Sequence, residues 1–178
     1  NKSNERFYVK TIKKAWYIIM NILKGNAVVG QSGGPTAAIN ATLAGVIKGA
    51  LTMADGAIET LYGMRNGVEG LLREDLIDLS AYFDSEEKLS LLEHTPAAAL
   101  GSCRKKLPDP KADEQFYENL IAIFRKYNIR HFFYIGGNDS MDTVMKLDRY
   151  FKAQGIDIKV IGIPKTIDND LPLTDHTP

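Results

Sequence analysis

The chain has 178 residues, 44% of them apolar and 25% charged, and its formal net charge is +0. That is material for one globular domain; it excludes wholesale disorder and leaves no bulk positive charge to hold nucleic acid. One cysteine, Cys103, permits no intramolecular disulfide and fits a reducing, cytoplasmic setting, and no apolar run approaches the ~20 residues that cross a bilayer. The neutral total conceals a basic, aromatic leader: Lys2, Arg6, Lys10, Lys13, Lys14 and Lys24 stand against the single acid Glu5, ahead of an acidic body. It lacks the small-residue cleavage site of a secretory signal. We read residues 1–24 as an extension, with Met20 as the true start and residues 1–19 dispensable, and residues 25–178 as the domain.

Asn26 to Gly30 is a short apolar run ending in Gly-Gln-Ser-Gly-Gly-Pro, the mark of a buried strand entering a tight turn. Pro35 suits the first position of a helix, and Ala37 to Leu51 is Ala-rich and helical. Ala57 to Leu61 reads as a second strand, and residues 66–92 as short helices and turns. Thr95 to Arg104 is a small-residue segment that runs into Lys105, Lys106, Pro108 and Pro110. Asp113 to Tyr127 has helical spacing, with Phe116, Leu120, Ile123, Phe124 and Tyr127 on one face. His131 to Ile135 is a strand, Gly136 to Ser140 a polar loop and Met141 to Ala153 a helix. Lys159 to Ile163 is a last strand, followed by Pro164 to Asp170.

Strand, glycine-rich loop and helix in alternation predict an α/β domain of three layers, a parallel sheet with helices on both faces. Right-handed crossovers then bring the loops at 31–36, 136–140 and 164–170 to one edge, where open α/β sheets bind ligands. Gly33 and Gly34, ahead of a helix, suit a phosphate cradle or a plain strand-to-helix turn. Neither a Walker motif nor a dinucleotide fingerprint is present, which removes the reading as an NAD-binding domain. Gly137, Asn138, Asp139 and Ser140 repeat the glycine-then-polar pattern, and Asn138 or Asp139 is also suited to capping the helix. Asp168 and Asp170, two apart and beside Lys165 and Thr166, suit a general base with a hydroxyl or metal ligand, or an Asx-rich turn. Arg104, Lys105 and Lys106 supply cations for phosphate charge, or a solvated surface.

GQSGGPTAAIN, GSCR, IGGNDSMDT and PKTIDNDLPLTDHTP, in this order, resemble the phosphofructokinase family over roughly residues 25–178. Within it the chain looks like the pyrophosphate-dependent branch. The resemblance implies transfer of a phosphoryl group to the 1-hydroxyl of fructose 6-phosphate with Mg²⁺, between two α/β domains, the first of which holds the donor. It implies Gly33 as the donor-binding glycine, with Gly34, Gly137, Ser140 and Lys105 beside it. Arg104 falls at the arginine that reaches the transferred group, Asp168 at the catalytic base, and Thr166 and Asp170 at substrate contacts. ATP-using members carry Gly-Gly-Asp-Gly-Ser. Here Asn138 stands at the metal-holding aspartate and Asp139 at the following glycine, which leaves Mg²⁺ to Asn138 or Asp139. Lys165 likewise replaces a glycine of the ATP users, and Asp139 fills space where the α-phosphate of ATP would lie. The family pattern continues past Pro178 into a second domain that supplies the sugar-phosphate clamp. The 178 residues alone are therefore expected to be inactive, and the whole protein to be a dimer or tetramer of like chains. An ATP-dependent enzyme and a non-catalytic regulatory or sugar-phosphate-binding subunit are the competing readings.

Overall fold

The computed structural model describes residues 23–53, 56–167 and 172. Most of the leader, and with it the expectation for residues 1–19, lies outside the described residues, as do Asp168 and Asp170.

The elements run β1 (Gly25–Gln31), α1 (Ile39–Lys48), β2 (Ile58–Met64), α2 (Val68–Leu72), β3 (Leu76–Asp78), α3 (Leu79–Tyr82), α4 (Glu86–Glu93), α5 (Glu114–Lys126), β4 (Ile129–Gly136), α6 (Asn138–Ala153) and β5 (Lys159–Pro164). The sheet order is β3-β2-β1-β4-β5. β2, β1, β4 and β5 are parallel, as the alternation requires. β3 is an antiparallel edge inside the stretch read as helices and turns, pairing Tyr62 with Asp78 and Met64 with Leu76. Three residues are too few to show a strand period, so only the neighbour reveals it.

β1 sits at the centre and its side chains alternate between two cores. Ala27 and Val29 face an aliphatic layer with Ile39, Leu43, Ile47, Leu61, Leu79 and Ile135. Val28 faces an aromatic layer with Tyr117, Phe124, Phe132, Tyr134, Tyr150 and Phe151. At the start of the strand Asn26 joins both neighbours: its Nδ2 donates to Tyr127 O at 2.8 Å, and its Oδ1 accepts from Thr60 N at 3.0 Å.

Two helices depart from the sequence pattern. In α5 the buried stripe runs through Tyr117, Leu120, Ile121, Ile123 and Phe124, while Phe116 and Tyr127 pack only at its margin. Tyr117, not placed on that face, belongs to the core, where its hydroxyl donates to Pro108 O at 2.8 Å and is satisfied. Burial, with Asp109 nearby, pushes its pKa up to about 12. α1 begins at Ile39 rather than beside Pro35, and a π-helical turn, Gly49–Met53, continues it. Residues 35–38 form the intervening turn, closed by Ile39 N–H to Thr36 O at 3.3 Å.

Candidate functional site

Parallel pairing brings the carboxyl ends of β1, β4 and β5 together: Gln31 lies beside Ile135, and Gly136 beside Pro164. The loops that leave these ends are bonded to each other. Ser32 N–H donates to Ile135 O at 2.9 Å, and Lys165 N–H to Gly136 O at 2.9 Å. Segment 95–104 crosses the same edge. Gly33 N–H donates to Cys103 O at 3.0 Å, Ser32 Oγ donates to the same carbonyl at 3.1 Å, and Ser102 Oγ donates to Gly33 O.

Gly33, Gly34, Arg104, Gly137 and Lys165 thus converge. Gly33 has φ +77°, and a Cβ there would stand 3.6 Å from Lys165 Nζ and 4.0 Å from Gly137 N. Its Cα therefore faces a space rimmed by a cation and a backbone amide. A Cβ on Gly34 would lie 4.0 Å from an Arg104 guanidinium nitrogen. Lys165 Nζ donates to Gly34 O, which ties the third loop to the first. Partial burial, and the positive charge of Arg104 beside it, hold the Lys165 amine below the ordinary lysine range. Among the described residues no carboxylate is paired with either cation.

The structure alters the expected cradle in two ways. Gly33 spends its N–H on Cys103, so it offers room rather than a donor. The turn at 35–38 sets α1 back from the glycines, so the nearest helix N-terminus is that of α6, whose N-cap is Gly137. No side chain caps α6, which removes the capping role for Asn138 and Asp139. Asn138, Asp139 and Ser140 form the first turn of α6 instead of a loop before it. An N-terminal turn of a 16-residue helix gathers N–H groups and a positive dipole end, a natural anion site. Ser140 is 3% exposed and lies under this turn, and a Cβ on Gly136 would strike its Oγ at 2.1 Å, so a glycine is needed there.

Asp139 turns across the cleft to Lys106, with 3.0 Å between Oδ1 and Nζ. Arg104 and Lys105 are both exposed, and Thr166 is half-buried next to Lys165. No group of three or more His, Cys, Asp or Glu side chains that could enclose a metal exists among the described residues. No helix among them is long and apolar enough to cross a membrane.

Sequence reasoning passed over Gln31 and Asn40, both 0% exposed. The signal was available, a lone amide closing an apolar strand and another inside an Ala-rich helix. It passed over the Lys106 pairing as well, which links a loop to the first turn of α6.

The sequence profile described as phosphofructokinase matches residues 26–178. The pyrophosphate–fructose 6-phosphate 1-phosphotransferase of Halomonas elongata is 48% identical over 153 residues, covering 86% of this chain and 36% of that protein. The protein of the same name from Methylococcus capsulatus is 46% identical over 153 residues, with the same shares. The crystal structure of the pyrophosphate-dependent phosphofructokinase from Nitrosospira multiformis superposes with a TM-score of 0.75 at 45% identity, over 85% of this chain and 36% of that one. The chain thus spans about a third of the length of these relatives. A family match that runs in sequence from the first strand through all three strand-end loops settles the kinship: the chain belongs to the phosphofructokinase family.

Proposed function

We propose that this chain is the phosphoryl-donor domain of an enzyme that transfers phosphate from pyrophosphate to the 1-hydroxyl of fructose 6-phosphate. The products are fructose 1,6-bisphosphate and phosphate, and the reaction runs reversibly in glycolysis. One observation carries the reading: Arg104 and Lys165 meet above Gly33 and Gly34 at the N-terminus of α6, where partial burial and then the charge of Arg104 lower the Lys165 pKa. Two cations that no carboxylate pairs with among the described residues, beside a helix N-terminus whose one acid, Asp139, turns to Lys106, are relieved by a compact polyanion. The relatives at 46–48% identity are named for pyrophosphate.

In this reading Gly33 and Gly34 make room for the pyrophosphate, and Gly137 with the first turn of α6 meets it from below. Ser140 supports that turn, and Lys105 adds charge at the entrance. Asp168 accepts the proton of the sugar 1-hydroxyl as its oxygen bonds to the terminal phosphorus, and the bond from that phosphorus to the leaving phosphate breaks. Arg104 and Lys165 offset the charge on the oxygens in flight. Thr166 and Asp170 orient the sugar. Mg²⁺ usually takes one or two carboxylates plus substrate phosphates, and Asp139 with the carbonyl oxygen of Asn138 fits as the protein's share. When bound, the ion would supply positive charge to offset that of the phosphate oxygens.

Asp139 also selects the donor. Its pairing with Lys106 mutes its charge, so it excludes the α-phosphate of ATP by bulk more than by sign. The whole protein is read as a cytoplasmic dimer or tetramer of like chains. The test offers pyrophosphate and ATP side by side to the whole protein and to its double variant Asp139→Gly, Lys165→Gly. The double change should collapse turnover with pyrophosphate and improve ATP binding; a wild-type protein that prefers ATP overturns the reading. Asp168→Asn should slow turnover by on the order of 10²–10⁴ with donor affinity nearly unchanged.

A further inference from the structure

We infer that Gln31 and Asn40 form a buried amide clamp whose task is to position Arg104, and this rests on the donor-site reading above. Both side chains are 0% exposed and touch none of the site's space. Gln31 Nε2 donates to Asn40 Oδ1 at 2.9 Å and to Ile39 O at 3.2 Å. Gln31 Oε1 accepts from Leu100 N at 2.9 Å. Asn40 Nδ2 donates to Thr95 O at 2.7 Å and Ala97 O at 2.8 Å, and Asn40 Oδ1 also accepts from Ala99 N at 3.0 Å. Four bonds from the two amides therefore end on the backbone of residues 95–100, a segment with no helix or strand of its own. The orientation of each amide is forced, because a flip would set an NH₂ group against a backbone N–H.

The clamp does what secondary structure does elsewhere in the fold: it satisfies buried backbone groups and fixes their place. It holds Ala97 at φ +61°, a conformation costly for a residue with a side chain. From Leu100 the chain passes Gly101, at φ +73°, and is tied at Ser102 and Cys103 to the first loop. Arg104 is the next residue. Gln31 closes β1 and Asn40 opens α1, so the rigid centre of the sheet dictates where the guanidinium stands over Gly34. A general stabiliser would be placed anywhere in the core. These amides instead face the one irregular segment that delivers a cation to the site.

The test is a double-mutant cycle in the whole protein with pyrophosphate and fructose 6-phosphate. Gln31→Met keeps the size of the side chain and removes its bonds. It should lower kcat on the order of 10-fold to 100-fold, the scale of a misplaced reacting group, while KM for fructose 6-phosphate stays within about 2-fold. Combined with Arg104→Ala it should add almost nothing to the loss from Arg104→Ala alone, because the clamp acts only through that arginine. Asn40→Ala, which removes four bonds, serves the same cycle if Gln31→Met does not fold. Losses that multiply, or a wild-type kcat in Gln31→Met beside a slow Arg104→Ala, overturn the clamp and leave the donor site standing. A wild-type rate in Arg104→Ala overturns the donor-site reading and the clamp together. Failure of both clamp variants to fold makes the pair a general stabiliser, which also overturns the inference.

Discussion

The two faces of the sheet are built on different principles. The α5–α6 face is a continuous aromatic layer in which Phe124 packs on Phe132 and Phe151 with ring centroids 5.9 and 5.3 Å apart. Its polar groups are buried, hydrogen-bonded hydroxyls, such as that of Tyr134, whose oxygen accepts from Val68 N at 3.3 Å and whose pKa burial drives upward. The α1–α4 face is aliphatic, but at the end next to the loops it buries Gln31 and Asn40. One face contributes stability through area removed from water. The other gives up apolar contact to direct hydrogen bonds at an irregular segment. The site lies at the seam between them, at the carboxyl end of β1.

This difference can be broken from either side. Phe124→Ala, in the aromatic layer, should cost about 3–5 kcal/mol in chemical denaturation while the folded fraction keeps its pyrophosphate affinity. Gly136→Ala, at the seam, should cost less, about 1–3 kcal/mol, yet weaken pyrophosphate binding in calorimetry. The new Cβ meets Ser140 Oγ and, at 3.0 Å, Ser32 O. Unaltered binding in the second variant would separate the seam from the site.

Two smaller effects sharpen the comparison through protons. Lys165 is held below the lysine value of 10.5, so its charge is lost at a lower pH than that of a free lysine. Pyrophosphate affinity should fall on the alkaline side below that value, and Lys165→Arg should move the limb upward, as a titration of binding against pH will show. His131 lies near the start of β4, away from the strand-end loops, and burial lowers its pKa below 6.5 despite the bond to Leu23 O. The unfolded chain takes a proton near pH 6.5 that the folded chain resists. Stability should therefore fall as pH drops below about 6.5, and His131→Gln should flatten that fall in acid denaturation.

Much of this was legible in the sequence, and the gaps have physical causes. The strands β1 and β4 announce themselves as apolar runs closed by glycine and β5 as one closed by Pro164, and Gly33, Gly34, Gly137, Arg104 and Lys165 do come together. β3 was not legible, because its pattern depends on the neighbour that pairs with it. The start of α1 falls later than Pro35, a valid first residue on local rules, behind a turn closed by Ile39 N–H to Thr36 O. Lys106 with Asp139, and the amides on segment 95–100, join residues 33 to 69 apart in sequence, which no local pattern encodes.

Asn26 records an order of events. Its side chain bonds to Thr60, 34 residues on, and to Tyr127, 101 residues on, so the first strand made is also the last to be completed. Closing the longer loop costs more chain entropy, by roughly 1 kcal/mol for a threefold increase in length. A chain emerging from the ribosome can pair β1 with β2 at once, but must wait for β4 with one edge of its central strand bare. During that wait the aromatic layer has no second half, and Arg104 has just been made without a floor beneath it. Pulse-labelled hydrogen exchange during refolding should find the Thr60 amide protected before that of Asn26, which bonds to Asn128 O. The space above Gly33 and Gly34, which needs the ends of β1, β4 and β5 together, should then form late in folding.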